Sequence, residues 1–486
     1  MKRNNLTTAI LAGITGLAGI ASVSNAVNLN SDGVGQVLIY PYYTVNNGLN
    51  TLISVVNTTD RVKAIKVRFL EGKNSREVLD FNLYMSAYDV WTAVLIPTQS
   101  TAAAVGPDFA DQNSVKLITN DTSCTVPAIN GQEFLPFAFS GLFDDTLIQN
   151  LSRATEGHFE MIEMGEVING DAVAATHVAG TPADCQQLVD NWTAPGGQWV
   201  IDPSINIVDP DGSGGLFGST SLVDVAEGVD FAYNADAFQA YSTAQQHANP
   251  GDLLPNLATG SSSQSIVFNN GQAITTDWLT SSVEAVSASY MHKNLYGEYA
   301  LDAIINAKTE WVVTFPTKAF YIDPIIAIGL VPVAPFEKII VEDIGACEEY
   351  SFVIYDREEM APTAGSIPPP PSPLPPGVNP NIPVFCWETN VLEFNREATA
   401  GDSLILGSNN TTHLVSPYAN GWLNLSFAQS TSDGVSVPGG VVQTYDGLPV
   451  TGFAVQKYTN AAAADGLLAQ YGGLFAHRGL KNITSN

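Results

Sequence analysis

The best candidate for a cation site is the run Asp209-Pro210-Asp211-Gly212-Ser213-Gly214. Its oxygen-bearing side chains at positions one, three and five, with glycine at six, match the start of an EF-hand loop, and Ca²⁺ prefers oxygen ligands. Position twelve is Thr220 rather than glutamate, so a simple Asp-Gly turn is the competing interpretation. The candidate metal ligands are therefore Asp209, Asp211 and Ser213, and the candidate cofactor is Ca²⁺.

Two other patterns resemble catalytic groups but lack the context that catalysis needs. On a strand, His158 and Glu160 would share a face, as an acid/base pair requires, but a solvated strand edge is favoured because no second histidine cluster accompanies them. Gly401-Asp402-Ser403-Leu404 has the letters of the GDSL hydrolase signature, yet no Asp-x-x-His follows it. We therefore predict no catalytic residues and expect that the protein is not an enzyme.

Opposite charges are separated along the chain. The 139 residues from Ala154 to His292 contain 17 Asp and Glu and no Lys or Arg. Residues 61–76 hold a basic strip, which consists of Arg61, Lys63, Lys66, Arg68, Lys73 and Arg76. This strip could contact the acidic region of a neighbouring copy, or hold phosphate or an anionic glycan; a solvated strand face is the alternative. The net charge of −29 argues against nucleic acid as a partner.

The four cysteines, Cys124, Cys185, Cys347 and Cys386, are an even number without a CxxC motif, which favours disulfides over a zinc or redox site. Three pairings are possible. We favour the sequence-local pairing of Cys124 with Cys185 and of Cys347 with Cys386. Nine prolines between Pro368 and Pro383 then form a stiff loop tied at its base, although a domain linker is the alternative.

Alternating apolar and polar residues predict a mainly β fold. In Lys63–Leu70, for example, Ile65, Val67 and Phe69 share one face while Lys66 and Arg68 share the other, as in a half-buried strand. We predict two β-sandwich (Ig-like) modules, at 27–120 and 291–486, with an irregular, partly helical acidic region at 121–290 between them. Further strands are expected at 36–43, 52–57, 78–85, 90–96, 159–167, 311–315, 350–355, 385–394, 421–427 and 452–458, and short helices at 146–154, 183–192 and 237–247.

The first 26 residues have the three regions of a secretory signal peptide: basic Lys2 and Arg3, a short apolar run and the small-residue site Ser24-Asn25-Ala26. Cleavage near Ala26 would leave a chain without a transmembrane segment, located in the periplasm, at the cell surface or in the medium.

Three blocks carry a resemblance: Tyr40-Pro41-Tyr42-Tyr43-Thr44, Asp89-Val90-Trp91-Thr92-Ala93 and Trp311-Val312-Val313-Thr314-Phe315-Pro316-Thr317-Lys318. Together they resemble an uncharacterised family of exported Gram-negative bacterial proteins. The resemblance implies a bacterial origin and a periplasmic or cell-surface setting, and it supplies no activity or catalytic residue.

Two functions are compatible with these features. The first is a non-catalytic structural or adhesive cell-surface protein that assembles into homo-oligomers or an S-layer-like array with the help of Ca²⁺. The alternative is a secreted or periplasmic glycan-binding module that uses exposed aromatic rings, for which the candidates are Trp192, Trp199, Trp278 and Trp422.

Overall fold

The computed structural model describes residues 26–101, 112–139, 144, 145, 147, 150–278, 280–341, 344–358, 382–437 and 439–486. The chain is mainly β, and the predicted β-sandwich class is confirmed. The segment predicted to be a signal peptide, apart from Ala26, lies outside the described residues, as does most of the proline-rich run. The helices of the described part are all too short to cross a bilayer.

Eighteen of the described strands lie before residue 278. In chain order they are β1 Asn28–Leu29, β2 Val37–Thr44, β3 Leu49–Asn57, β4 Val62–Glu71, β5 Glu77–Met85, β6 Val90–Gln99, β7 Asn113–Ile118, β8 Cys124–Val126, β9 Gln132–Glu133, β10 Glu156–Val167, β11 His177–Val178, β12 Thr181–Pro182, β13 Ile207–Val208, β14 Leu216–Asp224, β15 Val229–Asn234, β16 Asp236–Gln239, β17 Gln264–Asn269 and β18 Gln272–Asp277.

The remaining described strands begin at Met291. They are β19 Met291–His292, β20 Asn294–Ala300, β21 Lys308–Thr314, β22 Glu348–Glu349, β23 Ser351–Asp356, β24 Val384–Phe385, β25 Thr389–Asn395, β26 Thr411–Val415, β27 Asn420–Ser426, β28 Thr431–Ser436, β29 Val442–Asp446, β30 Leu448–Pro449, β31 Thr451–Ala464, β32 Leu467–Ala476, β33 Arg478–Leu480 and β34 Asn482–Ser485.

The α-helices of the described residues are α1 Asn169–Ala175, α2 Cys185–Asn191, α3 Gln198–Ile201, α4 Ser282–Tyr290 and α5 Ala319–Ile322, and 3₁₀ turns lie at Leu151–Thr155 and Ala303–Ile305. The helix predicted at 183–192 corresponds to α2. The 3₁₀ turn Leu151–Thr155 overlaps the helix predicted at 146–154, part of which lies outside the described residues. The helix predicted at 237–247 is wrong, because the segment begins as β16, which pairs with β1 and β2. Tertiary pairing there overrides the local helical pattern.

Two sheets form the N-terminal sandwich. One has the strand order β1-β16-β2-β10-β4-β5-β8, with β13 paired to β10, and the other has the order β15-β14-β3-β6-β7-β9. Their facing side chains, which include Tyr40, Phe69, Phe159 and Trp91, form the first hydrophobic core. Strands from residues 121–290, namely β10, β14 and β15, complete both sheets, so the acidic region is interleaved with the N-terminal strands.

The C-terminal part contains two five-stranded sheets and one four-stranded sheet. Their orders are β17-β18-β28-β29-β34, β26-β25-β21-β31-β32 and β23-β27-β20-β33. Side chains between them form a second core around Trp311, Phe315 and Tyr321, and that core also contacts the outer face of β2 through Val37 and Ile39. The first core in turn includes Val312 and Phe453 of β21 and β31, so the two parts are packed together. The domain boundaries taken from the sequence stay a prediction.

Both predicted disulfides are present. Cys124 is bonded to Cys185 and Cys347 to Cys386, over sequence separations of 61 and 39 residues. The first bond ties β8 to the start of α2. The second encloses the proline-rich run, whose residues up to 381 lie outside the described part of the chain.

Candidate functional site

The basic strip does not form an accessible surface. Lys63, Lys66, Arg68 and Arg76 are buried, Lys73 is half-buried, and only Arg61 is exposed. The prediction that this strip is a solvated face or an interface for another molecule is therefore wrong for the four buried residues. Their charges are paired inside the same chain, in the ion pairs Lys63–Glu163, Lys66–Asp80, Arg68–Glu77, Arg68–Glu160 and Arg76–Asp323.

The physical reason lies in what surrounds the basic side chains of β4. Strand β10 pairs with β4 along its whole length and brings Glu160 and Glu163 from the acidic stretch beside Arg68 and Lys63. The loop after β16 covers Lys66, whose Nζ donates to the carbonyl oxygens of Pro250 and Asp252 at 2.8 Å each. The opposite charges that we expected to meet between copies thus meet within one copy.

The predicted calcium ligands lie on an exposed turn, and their carboxylates serve local hydrogen bonds. Asp209 Oδ1 accepts from the backbone N–H of Gln245 at 3.0 Å, and Asp211 Oδ1 accepts from that of Ser213 at 3.1 Å. Within the described residues, no cluster of three or more His, Cys, Asp or Glu is arranged to hold a metal. Calcium binding at this turn stays a prediction.

His158 and Glu160 lie on β10, a central strand, so the interpretation as a solvated strand edge is wrong. Burial lowers the pKa of His158 to about 3, helped by the nearby Arg68 guanidinium, so this imidazole is neutral at physiological pH. Neither ring nitrogen has a hydrogen-bond partner in the described structure. Glu160 is held by Arg68, and the pair is not open to a substrate.

Ser403 of the GDSL-like run is also buried. Its Oγ donates to Glu310 Oε2 at 2.9 Å and accepts from the backbone N–H of Ser408 at 3.0 Å. The same Glu310 carboxylate accepts the backbone N–H groups of Ile405 and Leu406. Ser403 and Glu310 therefore hold a loop in place, and the serine hydroxyl is bonded to a carboxylate rather than to an imidazole.

The four tryptophans proposed as glycan contacts differ in their exposure to solvent. Trp278 is buried in the second core and Trp199 in a third, smaller cluster, and Trp192 is half-buried with its indole N–H donating to the Tyr84 hydroxyl at 2.9 Å. Trp422 is different, because it lies on β27 with 37% of its surface exposed. Burial thus removes Trp199 and Trp278, the internal contact with Tyr84 disfavours Trp192, and Trp422 remains.

Trp422 belongs to a group of rings on the outer side of the four-stranded sheet, which we call the aromatic face: Tyr296, Tyr355 and Trp422. Strand register sets Trp422 directly opposite Tyr355 of β23. The two rings are stacked with centroids 4.2 Å apart and planes 10° apart, and Tyr296 of β20 meets the indole edge-on at 6.3 Å. Both arrangements suit the quadrupoles of the rings.

Polar groups border these rings. Register places Glu298 opposite Trp422, and Asn424 and Arg478 on either side of Tyr296. Glu298 and Arg478 are exposed. Asn424 Oδ1 accepts a hydrogen bond from Asn294 Nδ2 at 2.8 Å. The face therefore combines an apolar platform with a carboxylate, an amide pair and a guanidinium across the four strands of this sheet.

The inner side of the same sheet holds the platform rigid. Leu423 and Leu425 of β27 alternate with Trp422 and Asn424 and point into the second core. The Tyr299 hydroxyl donates to the Tyr355 backbone carbonyl at 3.2 Å. Gly421 permits the close approach of β27 to β23, because a Cβ there would lie 1.8 Å from that same carbonyl oxygen.

A shallow groove of about 690 Å³ lies elsewhere, on the outer face of the N-terminal sheet β15-β14-β3-β6-β7. An apolar row (Leu52, Val94 and Ile118) runs beside a hydroxyl row (Ser54, Thr92 and Ser219). None of its lining residues carries a charge, and its one ring, Tyr233, is buried. The groove therefore offers neither acid/base chemistry nor an exposed aromatic surface.

The sequence named Trp422 but could not single it out, and it missed Tyr296, Tyr355, Glu298 and Asn424. The available signal was the alternation in Gly421–Phe427, which places Trp422 and Asn424 on the face opposite Leu423 and Leu425. Comparison of the chain with protein-family models, curated proteins and solved structures finds no match.

Proposed function

We propose that this chain is an exported, non-catalytic glycan-binding protein and that the aromatic face is its binding surface for neutral glycans. The observation that carries the proposal is the exposed Trp422 ring, stacked on Tyr355 and bordered by Glu298 and Asn424.

The chemistry of a sugar ring matches this surface. A pyranose has an apolar C–H face, which packs on an aromatic ring, and a rim of hydroxyls, which bond to carboxylate and amide groups. Stacking on Tyr355 fixes the indole before a ligand arrives, which lowers the entropy lost on binding. The net charge of −29 repels polyanions, and this supports a neutral glycan as the ligand.

Export fits the same proposal. The amino-terminal signal pattern predicts cleavage near Ala26, and two disulfides are typical of a protein outside the cytoplasm. We propose that the mature protein lies in the periplasm, at the cell surface or in the medium, where a glycan-binding face can serve adhesion. Assembly into an array through the basic strip is less well supported, because the strip's charges are paired within the same chain.

The test is an array of neutral oligosaccharides, followed by titration calorimetry of the exported chain with each hit. Trp422→Ala should weaken binding about tenfold or more, the usual cost of truncating a central interface aromatic, while Trp422→Tyr should retain most of it. Phe268→Ala is the matched control, since Phe268 is 64% exposed on another sheet. Titrations with Ca²⁺ and with chelator test whether the Asp209 turn contributes. The proposal fails if no neutral oligosaccharide binds or if Trp422→Ala binds like the wild type.

A further inference from the structure

Strand β32 forms a free edge of its five-stranded sheet. In the described part of the chain its backbone pairs with β31 and with no other strand. Strand β15 packs on a face of this hairpin rather than along its edge: a Cβ on Gly472 would lie 2.5 Å from the Phe231 ring. Among the described residues, no other backbone group bonds to the outer N–H and C=O groups of β32, which leaves them available to another strand.

The side chains of this edge are apolar and exposed. Leu467, Leu468 and Phe475 are each 54% exposed and Tyr471 is 46% exposed. The ten residues Leu467–Ala476 include no charged residue and no proline, although lysine, proline or a bulge usually protects a free edge. An unprotected edge of this length is typical of a site that receives a strand.

We propose that the strand it receives is β32 of a second copy, paired antiparallel about a two-fold axis. Such a contact uses the same patch on both copies and closes as a dimer. This inference goes beyond the proposed glycan binding and does not rest on it.

The residue pattern of β32 is self-complementary in one register. Ala469, Tyr471, Gly473 and Phe475 alternate small and large on one face of the strand. An axis through the two Gly472 residues sets each Tyr471 opposite Gly473 of the second copy and each Phe475 opposite Ala469. An aromatic ring across from a glycine or alanine is a favourable cross-strand pair. The Tyr471 ring is already oriented by stacking on Tyr458, with centroids 5.2 Å apart.

Charge supports a second copy as the partner. Two chains with a net charge of −29 repel each other, so they associate best through a surface that carries no charge. Screening by salt then strengthens the dimer. Association through a basic strip and an acidic region would weaken under the same change, so ionic strength distinguishes the two modes of assembly.

The test is sedimentation of the full exported chain over a wide concentration range, at low and high NaCl. The wild type should form a dimer that salt strengthens, and Leu468→Lys/Tyr471→Lys should be monomeric under the same conditions. Leu330→Lys is the matched control, because Leu330 is 95% exposed away from this edge, and it should dimerise like the wild type.

Hydrogen exchange on the wild type gives a readout that does not depend on how the variants fold. The amides of Leu467–Ala476 should become more protected as protein concentration rises. The proposal is overturned if the wild type stays monomeric or if the edge variant dimerises normally. It is also overturned if salt dissociates the dimer or if exchange in β32 does not change with concentration.

Discussion

Lys63 Nζ lies 2.6 Å from Glu163 Oε1, and both side chains are completely buried. The two residues are 100 positions apart, one in the basic strip and the other in the stretch that has no positive charge. Adjacent strands bring them together. A charge separation that suggested contacts between molecules therefore serves to pair charges within one fold.

Removing one member of this pair should be costly. Lys63→Met leaves the Glu163 carboxylate without its main partner in the interior, and we expect a loss of about 3–5 kcal/mol in the free energy of unfolding. Lys63→Met/Glu163→Leu should lose less than the sum of the two single changes. Urea titration measures all three variants.

The matched control is Lys293→Met, because Lys293 pairs with Asp446 at 3.0 Å with both side chains partly in solvent. Lys293→Met should lower the free energy of unfolding by no more than about 1 kcal/mol. Equal losses for Lys63→Met and Lys293→Met would contradict the assignment of the first pair as a buried one.

Glu310 should make stability depend on pH. Burial raises its pKa to about 7 from an ordinary 4.5, against hydrogen bonds from Leu406, Ile405 and Ser403 that lower it. The folded state thus binds this proton more tightly than the unfolded state, so its contribution to stability is present below pH 4.5 and is lost as the pH rises toward 7.

Relative to Glu310→Gln, the wild type should therefore lose up to about 3 kcal/mol between these two pH values. Urea titrations of both proteins at intervals across the window give this difference directly. A difference that stays constant, or that grows in favour of the wild type with rising pH, would show that Glu310 is not the group responsible.

Asp171 should be essential to the stability of the segment that contains helices α1 to α3. It is buried and accepts from the side-chain amides of Gln187, Asn191, Gln198 and Asn206 at 2.6–2.8 Å. Asp171→Asn replaces one acceptor oxygen with an N–H donor that faces these amides. We therefore expect a loss of about 3 kcal/mol in the free energy of unfolding. Hydrogen exchange should rise across α1 to α3.

Asp190→Asn is the control, since Asp190 accepts from Gln186 at an exposed site on α2. Its effect should stay within about 0.5 kcal/mol. If both variants behave alike, the four amide contacts of Asp171 contribute little.

Each disulfide should contribute independently. Replacing Cys124 and Cys185 with serine, or Cys347 and Cys386, should lower the free energy of unfolding by about 2–5 kcal/mol, slightly more for the longer loop of 61 residues. Non-reducing peptide mapping tests the pairing itself, and a peptide that links Cys124 to Cys347 would contradict it.

Local pattern predicted the strands well. The strands expected at 36–43, 78–85, 159–167 and 421–427 are found with their ends shifted by a few residues, because alternation and β-branched content act over adjacent positions. The disulfide pairing was also favoured from sequence order alone. The aromatic face could not be predicted from the sequence, because Tyr296, Tyr355 and Trp422 come from three strands whose register depends on the whole sheet.

The sequence by itself thus determined the β class, most strand positions and which residues alternate along each strand. It separated Ile65 and Val67 from Lys66 and Arg68 as two faces of β4, and that separation is confirmed. Only the tertiary structure decided what surrounds each face: the neighbouring strand β10 places carboxylates beside the basic side chains of β4, a distant loop covers Lys66, and Trp422 stays 37% exposed. Alternation is a property of neighbouring residues, whereas burial depends on segments far away in the chain.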